Sequence, residues 1–222
     1  MIVIARAHNG YKQKFGIPRQ SGRASSVVTR IVFEPDFRMQ EALRGIESFS
    51  HLWLIWGFSA NSGWSPTVRP PRLGGNRRLG VFATRSPFRP NPVGLSSVRL
   101  ERVEKTQSEG LVLVVSGADL MDGTPIYDIK PYLPYTDIHT DAVGGFAMNG
   151  ADYRLQVVIP EILKEKLSED IIRDLTDILS EDPRPAYKND GDEEYGLTYS
   201  NYNIRFKVQD RKATVIQITK TL

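Results

Sequence analysis

The amino-acid sequence predicts a β-rich α+β protein, with a body of short strands followed by a small C-terminal α+β unit. Three observations predict it. Residues 1–159 carry brief apolar runs broken by Gly and Pro, the pattern of a compact β domain. An apolar stripe at helical spacing, from Ile162 to Leu179, follows Pro160, a residue suited to a first helical turn. Beyond it, Ile204, Phe206 and Val208 alternate with Arg205 and Lys207, as on a half-buried strand.

The division falls at Pro160, giving units of residues 1–159 and 160–222. In the first, strands are expected at Ile2–His8, Ser26–Phe33, Leu52–Phe58 and Arg78–Thr84, then at Gly94–Val103, Leu111–Ser116 and Tyr153–Ile159. Within Gly94–Val103, Ser96, Val98 and Leu100 share one face and Ser97, Arg99 and Glu101 the other. After Pro35 and Asp36, the spacing of Met39, Ala42, Leu43 and Ile46 predicts one helix leading into the strand near His51. In the second unit, Pro183 and Pro185 stop the long helix. Asp210-Arg211-Lys212 reads as a hairpin turn before a last strand, Ala213–Thr219.

Composition narrows the function classes. The chain has 222 residues, 40% of them hydrophobic, enough for a core of ordinary size. It has no cysteine, which excludes disulfides and thiolate-bound zinc, and its three histidines, His8, His51 and His139, are scattered; no metal site is expected. The longest apolar cluster, Leu52–Phe58, is too short to span a bilayer, so a cytoplasmic protein without a membrane anchor is expected.

The net charge of +3 is unevenly spread: Arg69 to Arg99 holds seven arginines and no acidic residue. Glu161 to Glu194 holds twelve acidic and five basic residues, a balance of −7. The basic stretch could be a solvated loop pairing with the acidic region. Its lack of interspersed acids instead suits an external anion, and nucleic acid is the anion expected.

Three segments could carry chemistry. Asn76 to Leu100 places Arg85 and Arg89 around a turn stiffened by Pro87, Pro90 and Pro92, and guanidinium forks on a rigid loop suit phosphates or carboxylates. Ser116 to Asp137 supplies Asp119, Asp122, Asp128, Lys130 and Tyr132; Asp122 beside Gly123 is also ordinary turn chemistry. Tyr11 to Arg23 is a basic loop whose backbone near Ser21 and Gly22 could approach a ligand closely.

Five motifs along the chain, FGIPRQSG (Phe15–Gly22), FSHLWLIW (Phe49–Trp56), RPPRLGGN (Arg69–Asn76), GVFATRSPFRPNPVGLS (Gly80–Ser96) and DGTPIYDIKPYLPY (Asp122–Tyr135), resemble the TrmO family of tRNA methyltransferases. The resemblance implies an S-adenosylmethionine-dependent enzyme with a β-barrel-like N-terminal domain, acting as a homodimer. It implies N6-methylation of an adenosine beside the tRNA anticodon that already bears N6-threonylcarbamoyl. Carried over by motif, the cofactor lies against Ser21, Gly22 and Arg23, Phe58 and Ser59, Arg85, Leu95, and Ser116, Gly117, Ala118 and Asp119. Ser21 and Arg23 stand where the family usually has proline and leucine. Asn91, Asp128 and Lys130 are then catalytic candidates, and Arg89 and Tyr132 RNA-binding ones.

Methyl transfer from a sulfonium is an in-line displacement, so positioning is the main task. A carboxylate in the Asp119 to Asp128 segment is expected to take or orient the N6 proton, with Asp128 first; Asp128 fixing Lys130 is the competing reading. Two other classes stay open. One is a nonenzymatic RNA-binding module stacking bases on Trp53, Trp56 or Trp64, although Trp53 and Trp56 share an apolar strand where at least one belongs to a core. The other is a metal-free hydrolase of a phosphorylated or acylated small molecule.

Overall fold

The computed structural model describes residues 1–61, 63–70, 73, 77–148, 151–185 and 192–221. The N-terminal part contains β1 (Ala5–His8), β2 (Val28–Phe33), β3 (His51–Gly57), β4 (Thr67–Val68), β5 (Leu79–Gly80), β6 (Val93–Thr106), β7 (Gly110–Ser116) and β8 (Pro125–Pro131). Six of these close into a barrel in the order β1-β2-β7-β6-β3-β8. Every neighbouring pair is antiparallel.

Alternation sets which groups fill it. Leu52, Leu54 and Trp56 of β3 are buried, whereas His51, Trp53 and Ile55 face outward. On β6, Ser96 and Val98 are buried and Leu95 and Arg99 are exposed, the faces read from the sequence. A one-residue slip of β3 would turn all three inward side chains to solvent. Each buried aliphatic or aromatic group contributes about 1.5–3 kcal/mol, so the register is held.

The remaining elements are α1 (Pro134–Asp137), β9 (Gln156–Val158), α2 (Glu161–Lys164), α3 (Glu169–Ser180), β10 (Glu194–Tyr199), β11 (Tyr202–Gln209) and β12 (Lys212–Lys220). They form a sheet ordered β10-β11-β12-β9, with β9 parallel to β12 and α3 packed nearby. The core beneath α3 gathers Leu175, Ile178, Leu179, Phe206 and Val215. Tyr11, Ala24 and Val27, from the loop joining β1 to β2, sit in this second core and not in the barrel. That loop is therefore founded on the C-terminal sheet and helix.

Several expectations are corrected. The strand expected at Tyr153–Ile159 shrinks to β9 and belongs to the second sheet. The expected helix after Pro35 is three separate 3-10 turns, Pro35–Phe37, Gln40–Leu43 and Ile46–Ser48, because Gly45 takes φ 89° and interrupts the helical path. The stripe from Ile162 to Leu179 is split: Ser168 accepts the backbone N–H of Ile171 and starts α3 afresh. Arg78–Thr84 pairs only at Leu79–Gly80 before curling into a 3-10 turn at Val81–Ala83. The expected hairpin at Asp210 and Arg211 is present, both residues at positive φ, 48° and 58°, as a two-residue turn requires. Among the described residues no helix is long and apolar enough to cross a membrane.

Candidate active site

A cavity of about 480 Å³ opens at the barrel rim where β3 ends and β6 begins. Its floor is a buried polar chain. The indole Nε1 of Trp56 donates to Ser96 Oγ at 2.9 Å, and Ser96 Oγ donates to Asp119 Oδ1 at 2.5 Å. Gly94 makes this possible, since a Cβ there would overlap the Trp56 ring. The Phe58 ring lies 4.3 Å from that of Trp56 and extends the apolar wall toward Leu95. Burial raises the Asp119 carboxyl above the usual carboxylate range, while the Ser96 hydrogen bond, its own backbone and the Arg85 charge pull the other way.

The opposite wall comes from the loop between β1 and β2. Gln20 Oε1 accepts from Arg85 Nη1 at 2.5 Å, linking that loop to the turn after β5. The loop is anchored from behind: Ser26 N donates to Asp177 Oδ2 at 2.9 Å, Arg23 Nε pairs with Glu181 at 3.0 Å, and Arg19 Nη2 donates to the Arg184 carbonyl at 2.9 Å. Lys14 Nζ, donating to the Ala60 carbonyl at 2.7 Å, ties the same loop to the segment after β3.

The structure brings Phe58, Ser59, Arg85, Arg89, Leu95 and Asp119 together around this cavity. Ser21, Gly22 and Arg23 do not line it; Ile17, Pro18, Arg19 and Gln20 do. Gly22 N is bonded to the Gly117 carbonyl at 2.7 Å, and Arg23 turns to Glu181 and to the Ala151 carbonyl. Pro18-Arg19-Gln20 already stood inside the FGIPRQSG motif, so the signal was present three residues upstream of the residues chosen. Ser116, Gly117 and Ala118 also lie behind the wall. Ser116 Oγ donates to Glu101 at 2.6 Å, Gly117 backs on Gly22, and Ala118 is buried in the barrel core.

Asp128, Lys130, Tyr132 and Asn91 lie outside the cavity. Asp128 and Lys130 project from the outer face of β8, paired with each other at 3.0 Å. The Tyr132 ring packs at a tilt against Trp53, centroids 5.4 Å apart, and Trp53 lines the cavity. Asn91 is exposed in the turn entering β6. Arg89 staples its own turn: Nη1 donates to the carbonyls of Val81 at 3.1 Å and Thr84 at 2.7 Å, with the guanidinium over Phe82. Sequence reasoning offered Trp56 as a base-stacking or core residue and missed it as a lining residue of the cofactor cavity, because its place in an apolar strand carries no signal of a cavity. Of the RPPRLGGN motif, positions 71–72 and 74–76 lie outside the described residues.

A barrel with a half-apolar, carboxylate-floored cavity at its rim defines a small-molecule site built without the dinucleotide-binding turn of parallel α/β folds. Comparison with known proteins then names the group. The model of the tRNA-methyltransferase O N-terminal domain matches residues 6–138, and that of the TrmO C-terminal domain matches residues 153–221. The chain belongs to the TrmO family. It is 41% identical over 212 residues to an Escherichia coli protein named tRNA (adenine(37)-N6)-methyltransferase, covering 90% of this chain and 89% of that one. A Pseudomonas aeruginosa protein whose name describes an S-adenosylmethionine-dependent methyltransferase is 42% identical over 187 residues, 80% of this chain and 78% of that one. A crystal structure of TrmO from Pseudomonas aeruginosa superposes with a TM-score of 0.78 at 32% identity, covering 98% of this chain and 97% of that one.

Proposed function

We propose that this chain transfers a methyl group from S-adenosylmethionine to N6 of the adenine at position 37 of tRNA, a nitrogen already carrying threonylcarbamoyl. The observation that carries the reading is the near full-length identity to the Escherichia coli protein named for that reaction.

The cavity suits the cofactor: about 480 Å³, with Trp56, Phe58 and Leu95 offering apolar surface and Asp119 one half-buried acceptor. When bound, S-adenosylmethionine supplies an electrophilic methyl carbon. In this reading Phe58, Ser59, Arg85, Leu95 and Asp119 hold it, with Gln20 and Arg85 closing the far wall. Ser21 to Arg23 and Ser116 to Ala118 brace the lining from behind.

Asp119 is better placed than Asp128 to take or orient the N6 proton. It lines the cavity and burial raises its proton affinity, which brings a general base closer to the working pH. Ser96 fixes the carboxylate's orientation. Asp128, Lys130 and Tyr132, on the solvent side near Trp53, and Asn91, exposed in the turn before β6, serve the RNA, and Arg89 serves by holding its turn. The barrel carries the methyl transfer, in a cytoplasmic homodimer.

The test is mass spectrometry of nucleosides from threonylcarbamoylated tRNA incubated with the protein and isotopically labelled cofactor. One labelled methyl on that nucleoside is expected. A protein that binds tRNA but shows no S-adenosylmethionine binding by calorimetry, with or without tRNA, is an RNA-binding module instead.

A further inference from the structure

A second cavity, about 1240 Å³, lies on the other side of the wall made by Arg19, Gln20, Thr84, Arg85 and Pro87, residues that line both. Its described lining carries five arginines, Arg19, Arg23, Arg69, Arg78 and Arg85, of which Arg23 is already paired with Glu181, and no acidic side chain. Three phenylalanines, Phe82, Phe88 and Phe146, share that lining. Phe82 is 75% exposed and Phe88 42% exposed, on a turn that Pro87 and the Arg89 staple keep rigid. Exposed rings sharing one cavity lining on a rigid turn make an apolar patch of the kind that marks a binding surface.

We infer that this larger cavity binds unpaired nucleotides next to the target adenine, with phosphates on Arg69 and Arg78 and bases stacked on Phe82 and Phe88. The inference rests on the methyltransferase reading and assigns it a second subsite. Phosphates answer a cationic lining without carboxylates, and flat bases answer exposed aromatic rings. Paired RNA hides its base faces in the helix, so the ligand is a single-stranded loop. The shared wall explains how one strand serves both places: its neighbours rest in the larger cavity while the target base reaches past Arg85 to the smaller one.

The experiment uses the full chain and a fluorescein-labelled anticodon stem-loop, titrated by anisotropy across a salt series, with cofactor binding measured by calorimetry. Phe82→Ala is expected to weaken stem-loop binding about 5- to 50-fold without changing the salt slope, and Phe82→Trp to restore it. Arg69→Ala is expected to weaken it several-fold and to lower the slope by about one. Both should keep the unaltered cofactor Kd, and Lys105→Ala, at the far end of β6, should change nothing. Phe82→Ala and Arg69→Ala binding the stem-loop within twofold of the unaltered chain overturns the inference while leaving the methyltransferase reading intact. Loss of cofactor binding in Phe82→Ala overturns it too, as the ring would then be a structural prop. No stem-loop binding by the unaltered chain removes the underlying reading and the inference with it.

Discussion

Ser96 donates its hydroxyl to Asp119 at 2.5 Å while accepting the indole N–H of Trp56 at 2.9 Å, so one serine joins the barrel interior to the cavity's carboxylate. A carboxylate held this way has one oxygen committed to the protein and one side facing the cavity. Its protonation and its orientation are then separately adjustable by mutation.

Asp119→Asn should separate stability from activity. Burial raises the folded-state pKa of Asp119, so its contribution to stability is full below the unfolded value, near 3.8, and is lost as pH rises through the folded value. At pH 7 the ionised carboxylate therefore costs stability, and asparagine, nearly the same shape, removes that cost. A higher Tm at pH 7, with the gain vanishing below pH 4, is expected in thermal melts. The rate of methylation should fall about 100-fold or more if Asp119 handles the proton.

Gly94→Ala should destabilise the barrel by about 1–3 kcal/mol, because the added methyl overlaps the Trp56 indole and forces it from Ser96. Chemical denaturation measures this as a lower midpoint with an unchanged slope. Ser96→Ala should leave the midpoint closer to the unaltered value and act mainly on the reaction.

Glu181→Gln should act at a distance. Glu181 is paired with Arg23 at 3.0 Å and also contacts Arg154, and this cluster anchors the loop carrying Arg19 and Gln20. Neutralising it leaves two guanidinium groups without their carboxylate and is expected to cost about 1–3 kcal/mol. Cofactor Kd should rise more than kcat falls, as the wall is displaced and the chemistry is not. Glu181→Asp should recover part of both.

Arg89→Ala should lower stability by about 1–2 kcal/mol through the freed carbonyls of Val81 and Thr84. The salt slope of tRNA binding should stay as it was, since that guanidinium holds its own turn. A slope reduced by about one would instead make Arg89 a phosphate contact.

The charge and motif content of the chain was legible because it is local. The acid-free arginine run, the proline-stiffened turn and the motif around Asp119 can each be read in a short window, and so can β6, whose alternation put Ser96 on one face with Val98 and Leu100. β8 and β10 were not legible: β8 is bounded by prolines and carries Asp128 and Lys130, and β10 contains Gly196, so neither shows the apolar run of a strand. Their places come from partners distant in sequence, β8 between β1 and β3 and β10 beside β11.

The basic and aromatic Asn76 to Leu100 segment, with its fixed turn, was thus determined by sequence alone, since Pro and Arg impose their geometry and charge wherever they stand. Which side chains meet was decided by tertiary structure. Asp119 and Asp128 are nine residues apart and alike in composition, yet barrel closure sets one against Ser96 at the cavity and leaves the other paired with Lys130 on the outer face. The loop from Tyr11 to Arg23 likewise gains its shape from α3 and the second sheet, which follow it by more than 130 residues. Long-range burial, which no local window carries, turns the same residue types into a cavity floor, a brace or a solvated pair.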